Sequence, residues 1–161
     1  MNKQEIYDYL DKKNIHYEIT NHKPVYNMEE LSDISLPYPR YDAKNIFLCD
    51  DKKINYYLLT IKGDKRVNLK EFRKNNNLRP LTFASEEALL NILNLCSGSV
   101  SPLGLLNDKN HQVIFYIDEY FLEENLIGVH PNDNTATIWL KAVDLVNIIK
   151  ELGNTVHIIK V

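Results

Sequence analysis

Hydrophobic and polar positions along the chain follow two periods, one helical and one of strand type, and their succession predicts an α+β fold. Residues 2–13 read as an opening helix: Ile6 and Leu10 lie four apart, Asn2 can cap, and Glu5 follows the cap by three. Residues 16–20 alternate as a strand does. Residues 27–34 read as a short helix that Pro37 and Pro39 end in a loop. The stretches 43–49 and 54–61 are strand-like and flank the turn 50–53, which predicts an antiparallel hairpin. Asn68 can cap a helix running through Arg73, with Glu71 completing a capping-box pattern. A short strand at 78–82 precedes Ser85, which can cap another helix with Glu86 and Glu87 in its first turn. Strand patterns recur at 112–118, 126–130, 135–140 and 156–159. The last helix, 141–152, gathers Ala142, Leu145, Val146 and Ile149 on one face and stops at Gly153.

The count is about seven strands and five helices, irregularly interleaved. A hairpin rules out a purely parallel doubly wound sheet. The expected fold class is α/β of the α+β type: a mixed, largely antiparallel sheet with helices packed around it.

Composition narrows this little. A chain of 161 residues, 44% hydrophobic and 25% charged, matches one well-packed domain spanning 1–161. No apolar run approaches the roughly 18–20 residues that cross a bilayer. The start, MNKQEIYDYLDKK, has no apolar signal core, so a cytoplasmic protein without a membrane partner is expected. Cys49 and Cys96 are too distant in sequence to indicate a disulfide framework. The five histidines (16, 22, 111, 130 and 157) lack ligand-like spacing, so no metal is expected. Walker, dinucleotide, G-x-S-x-G and HExxH patterns are missing, and no cofactor is expected.

Charge changes the picture more. The net charge of -3 argues against a general nucleic-acid or DNA binder. Yet residues 62–74 hold six basic and two acidic residues, so this segment is +4 and the remainder is -7. Such a basic spot on an acidic body can grip a few phosphates while repelling long duplexes; a solvated helix face is the plainer alternative.

Three segments depart from ordinary scaffold. Lys44 and Asn45 are polar at the start of a strand that then turns apolar, and successive strand residues face opposite sides. Lys44 can be a partly desolvated cation for a phosphate or carbonyl oxygen, or a strand-edge lysine reaching water. In Ser97–Asp108, Gly98, Ser99, Val100, Ser101 and Pro102 form a small-residue loop after a helix. Its backbone N–H groups can cradle an oxyanion, although a helix C-cap and turn also explain it. His130 precedes Pro131 at a strand end, where a histidine can exchange a proton near neutrality or be a satisfied turn residue.

Together with His22-Lys-Pro-Val-Tyr-Asn-Met-Glu-Glu, these segments resemble the YbaK-like aminoacyl-tRNA editing domains, similar to the insertion domain of bacterial prolyl-tRNA synthetase. Five short pieces match in order across nearly the whole chain. They are His22–Glu30 (with Asn27 where threonine is common), Lys44–Leu48, Gly63–Leu69, Gly98–Pro102 and His130–Asn132. Leu103–Asp108 extends the loop in the manner of the alanine-specific branch, ProXp-ala, also called PrdX or prolyl-tRNA deacylase.

The resemblance implies the YbaK/aminoacyl-tRNA synthetase-associated domain fold and a metal-independent hydrolase. Its substrate would be the ester of Ala-tRNA(Pro), with prolyl-tRNA synthetase a possible partner. It implies Lys44, Asn45, Gly98 and His130 around the reacting ester. Tyr26, Ser99, Val100, Ser101 and Pro102 would line the substrate, and Lys65, Arg66 and Lys70 would contact the tRNA acceptor end. Two rivals stay open: Cys-tRNA(Pro) deacylation, as in the YbaK branch, and a catalytically silent module binding tRNA or a synthetase.

Overall fold

A computed structural model describes residues 1–24 and 35–161 of the chain. The expected helix at 27–34 therefore lies outside the described residues, as does Tyr26. Helix α1 (Lys3–Lys12) opens with the reciprocal cap read from the sequence. Asn2 accepts from the Glu5 backbone N–H, and the Glu5 carboxylate accepts from the Asn2 N–H. Its apolar stripe buries Ile6 and Leu10.

Strand β1 (Tyr17–Asn21) follows, then β2 (Ala43–Asp50) and β3 (Tyr56–Lys62), which form the expected antiparallel hairpin with Lys44 opposite Ile61 and Leu48 opposite Tyr57. Asn68 caps α2 (Leu69–Asn75) by accepting from the Glu71 N–H. After β4 (Leu81–Phe83), Ser85 starts the short α3 (Glu86–Ala88), which widens into a π-helical turn over Leu89–Leu93. The strand expected at 78–82 thus begins three residues later than its pattern indicates.

Strand β5 (Val113–Asp118) runs directly into α4 (Glu119–Glu124), a helix the periodicity does not announce. Six residues are too few to display an amphipathic repeat; the local cause is the Asp118 carboxylate, which accepts from the Tyr120 N–H at 3.1 Å. Then come β6 (Ile127–Val129), β7 (Ala136–Leu140), α5 (Ala142–Leu152), which ends at Gly153 as expected, and β8 (Val156–Ile159).

Eight strands among the described residues lie in two sheets. One is antiparallel, in the order β1-β7-β6; the other is mixed, in the order β4-β2-β3-β5-β8, with β3–β5 and β5–β8 parallel. The parallel pairs require long crossovers, which the intervening helices and the first sheet supply. A large core brings together Ile6 and Leu10 of α1, Leu58, Phe115 and Ile117 of the five-stranded sheet, Ile138 and Leu140 of β7, and Leu145 and Ile149 of α5. A smaller cluster on the sheet's opposite face joins Leu48, Tyr57, Leu59 and Tyr116 to Phe72 of α2. Each such fully buried side chain contributes about 1.5–3 kcal/mol.

Candidate active site at the junction of the two sheets

Among the described residues, the sheets meet at one parallel bridge between Asp42, just before β2, and Gly128 of β6. Gly128 pairs with Trp139, whose ring folds over it so closely that an added Cβ would stand 2.2 Å from the ring. The close approach brings the start of β2 beside the end of β6, and these two strand ends carry Lys44 and His130.

The hairpin register separates Lys44 from Asn45. Lys44 shares a sheet face with Ile61, while Asn45 shares the other with Thr60. The buried Thr60 hydroxyl donates to Asn45 Oδ1 at 2.6 Å. With its oxygen occupied, the Asn45 amide retains N–H donors. Lys44 is half-buried and donates from Nζ to the Lys65 carbonyl at 3.0 Å. An ammonium has three donors, and among the described residues the other two remain for a ligand.

The loop after the π-helical turn is tied to the histidine. Gly98 has φ 91°, the left-handed region that glycine enters without strain. Ser101 is fully buried; its hydroxyl donates to the His130 carbonyl at 2.6 Å and accepts from the Leu103 N–H at 3.2 Å. Pro102 then begins a 3-10 helix, Pro102–Asn107. A further tie runs from Asn132 Nδ2 to the Leu103 carbonyl at 3.4 Å.

His130 Nδ1 lies 2.9 Å from the Ala136 carbonyl. A carbonyl only accepts, so Nδ1 carries the proton and Nε2 of the neutral ring presents a lone pair. Burial holds the His130 pKa below its ordinary value; the nearby His22 works the same way, while the Ala136 carbonyl and Asp133 oppose the shift. The two histidine rings meet edge to face at 6.1 Å. His22 is itself anchored, with Nδ1 donating to the Lys23 carbonyl at 2.8 Å and Nε2 2.9 Å from Thr137 Oγ1.

Of the residues expected from the sequence, Lys44 and Asn45 follow Asp42 at the start of β2 on opposite faces of the sheet, and His130 follows Gly128 with Ser101 bonded to its carbonyl. No hydrogen bond joins Lys44 directly to His130 among the described residues. Gly98, Ser99 and Val100 are half-buried, while Arg66 and Lys70 are exposed on the basic segment. Lys65 differs from those two, because its ammonium pairs with the buried Asp118 at 2.9 Å. Nothing in the sequence pattern singles out Asp42, Thr60, Asp118 or Thr137. Each is a polar residue whose significance comes from burial, and burial is invisible before the strands pair.

A model of the aminoacyl-tRNA editing domain matches residues 22–148, which include Lys44, the Gly98 loop and His130. The chain belongs to the aminoacyl-tRNA editing domain family. This editing domain is 39% identical over 153 residues to the prolyl-tRNA editing protein ProX of Acetoanaerobium sticklandii, covering 95% of this chain and 93% of that protein. It is 34% identical over 147 residues to the prolyl-tRNA synthetase associated domain-containing protein 1 of Mus musculus, covering 87% and 85%. A crystal structure described as a candidate trans-editing enzyme for prolyl-tRNA synthetase superposes with a TM-score of 0.73 at 17% identity, covering 99% and 96%. That last likeness establishes the editing-domain fold.

Proposed function

We propose that this chain is a trans-editing deacylase that hydrolyses the ester of Ala-tRNA(Pro). The observation that carries the reading is the placement, within the editing-domain match and beside the Asp42–Gly128 bridge, of a half-buried ammonium with two donors left over among the described residues and a half-buried neutral histidine tied to the loop after Gly98. The names of the ProX and mouse relatives support prolyl-tRNA editing and a link to prolyl-tRNA synthetase.

In this reading water attacks the ester carbonyl, negative charge gathers on the carbonyl oxygen, and the bond to the terminal ribose oxygen breaks. The ribose oxygen takes up a proton, releasing alanine and free tRNA. Lys44 offers its two remaining N–H donors to the developing oxyanion or the terminal phosphate, the interaction that changes most between ground and transition states. Asn45, its Oδ1 held by Thr60, orients the substrate through its amide donors. Backbone donors of the loop from Gly98 to Ser101 bind the aminoacyl end, the loop with Pro102 limits pocket size, and Tyr26 contributes to substrate binding. The His130 Nε2 lone pair positions water or the substrate amine. Arg66 and Lys70 contact acceptor-end phosphates.

Alanine as substrate follows the logic of a second sieve. A proline activation site cannot strongly reject a smaller side chain, so a separate site admitting only small residues must clear the error.

The test offers purified protein Ala-, Cys-, Ser- and Pro-tRNA(Pro), with Lys44→Ala as control. Selective loss of Ala-tRNA(Pro) is expected, and Lys44→Ala should lower kcat by about 10²–10³, the cost of losing one oxyanion donor. Preferential loss of Cys-tRNA(Pro) moves the substrate to the rival branch. Absence of hydrolysis identifies a silent binding module, and a Lys44→Ala variant as fast as wild type removes Lys44 from the site.

A further inference from the structure

The acceptor that holds Lys44 is a main-chain carbonyl in a loop, and that loop has an unusual fastening. Between β3 and α2 the chain turns through Gly63 and Lys65, with the Lys65 N–H on the Lys62 carbonyl at 3.0 Å and the Gly63 N–H on the Asp42 carbonyl at 3.2 Å. The remaining anchor is Asp118, at the end of β5. Its carboxylate is fully buried and accepts four hydrogen bonds: two from Lys65 Nζ at 2.9 and 3.1 Å, one from the Lys62 N–H and one from the Tyr120 N–H, both at 3.1 Å. The Tyr120 ring lies under both ammonium groups, 4.9 Å from Lys62 Nζ and 5.6 Å from Lys65 Nζ.

A buried carboxylate is tolerated when its lone pairs are filled and its charge is paired, and both conditions hold here. One side chain of β5 therefore grips the loop at Lys62 and again at Lys65. The carbonyl of that same Lys65 receives the Lys44 ammonium.

We propose that the Lys65–Asp118 ion pair positions Lys44 for ester hydrolysis, with Lys65 acting through its own carbonyl rather than by touching tRNA. The inference rests on the deacylase reading above. It separates Lys65 from Arg66 and Lys70, its neighbours in the basic segment. Those two are exposed and act on binding, whereas Lys65 acts on turnover. A catalytic group displaced by about 1 Å can lose on the order of 10²-fold in rate, so loosening the loop lowers kcat while leaving the tRNA grip intact.

The experiment measures kcat and KM of Ala-tRNA(Pro) deacylation for Lys65→Met, Lys65→Arg and Asp118→Asn, each alone and combined with Lys44→Ala, together with Tm. Lys65→Met is expected to lower kcat by about 10–100-fold with little change in KM, and Lys65→Arg, which still pairs with Asp118, to recover most of it. In the Lys44→Ala background Lys65→Met should lower kcat no further, an epistasis that general loosening of the fold does not produce. Should Asp118→Asn fail to fold, the half-buried Lys65 substitutions carry the test alone. A Lys65→Met variant with wild-type kcat, or one that raises only KM, overturns the positioning role and leaves the deacylase intact. A wild-type protein that cleaves no ester overturns both.

Discussion

Asp42 is a carboxylate in a place that penalises its charge. Only 8% of it is exposed, and burial pushes its pKa from 3.8 up to about 7. The folded chain thus keeps a proton there that the unfolded chain releases above pH 4. Raising the pH from about 4 to about 7 therefore favours the unfolded state, and the loss is complete above 7. The rise to about 7 corresponds to about 4 kcal/mol as an upper bound. Asp42→Asn removes this titration. The difference in unfolding free energy between the variant and wild type should grow in the variant's favour from pH 4 to pH 8, by urea titration at each pH. Parallel stability curves for the two proteins would show that Asp42 ionises without cost. His130 shows the opposite kind of residue-scale control: burial keeps its ring neutral against the pull of the Ala136 carbonyl, which fixes the proton on Nδ1 and leaves Nε2 as acceptor.

At the scale of elements, the junction depends on β6 and β7 packing without a side chain at Gly128. The Trp139 ring occupies the space a Cβ would need, and its Nε1 donates to Thr20 Oγ1 of β1 at 3.0 Å. Gly128→Ala forces ring or strand to move. Overpacking of this kind costs about 2 kcal/mol, and at about 2–4 °C per kcal/mol for a chain of this size it should lower Tm by roughly 4–8 °C. Deacylation should fall as well, because β6 leads into His130. Thermal unfolding at wild-type Tm would show that Trp139 can turn aside freely. The elements also mark how far local pattern reaches. The caps at Asn2, Asn68 and Ser85 are legible in the sequence because each is a short-range bond between residues three apart. Helix α4 is not, because a single Asp118 cap starts it and its six residues show no period.

For the whole molecule, the asymmetry of charge is the feature that reaches furthest. The +4 segment 62–74 sits on a chain whose other residues sum to -7, so attraction for phosphate is confined to one region. Lys65 is engaged internally by Asp118, which leaves Arg66 and Lys70 among the exposed cations of that region. Reversing both, Arg66→Glu with Lys70→Glu, should raise KM for charged tRNA and spare kcat. It should also flatten the dependence of log affinity on log salt by about 0.7–0.9 for each phosphate no longer neutralised. Binding titrations from about 50 to 200 mM salt measure the slope; an unchanged slope would place the tRNA on another face.

Periodicity, capping and turn chemistry act over a few residues. The amino-acid sequence alone therefore carries the α+β class, most helix and strand positions, the hairpin, and the candidate segments at Lys44, Gly98 and His130. Their ordered spacing also suffices to indicate the editing family. Folding in three dimensions adds what depends on distant residues meeting: the division of eight strands into two sheets, the parallel pairs around β5, and the Asp42–Gly128 bridge that joins the sheets. It also settles the place of Lys65, which looks like Arg66 and Lys70 in a basic run. Asp118 lies 53 positions further along the chain, and only the pairing of β3 with β5 brings the two charges together. Burial and long-range pairing set such a lysine apart from its neighbours, and neither has a local signature.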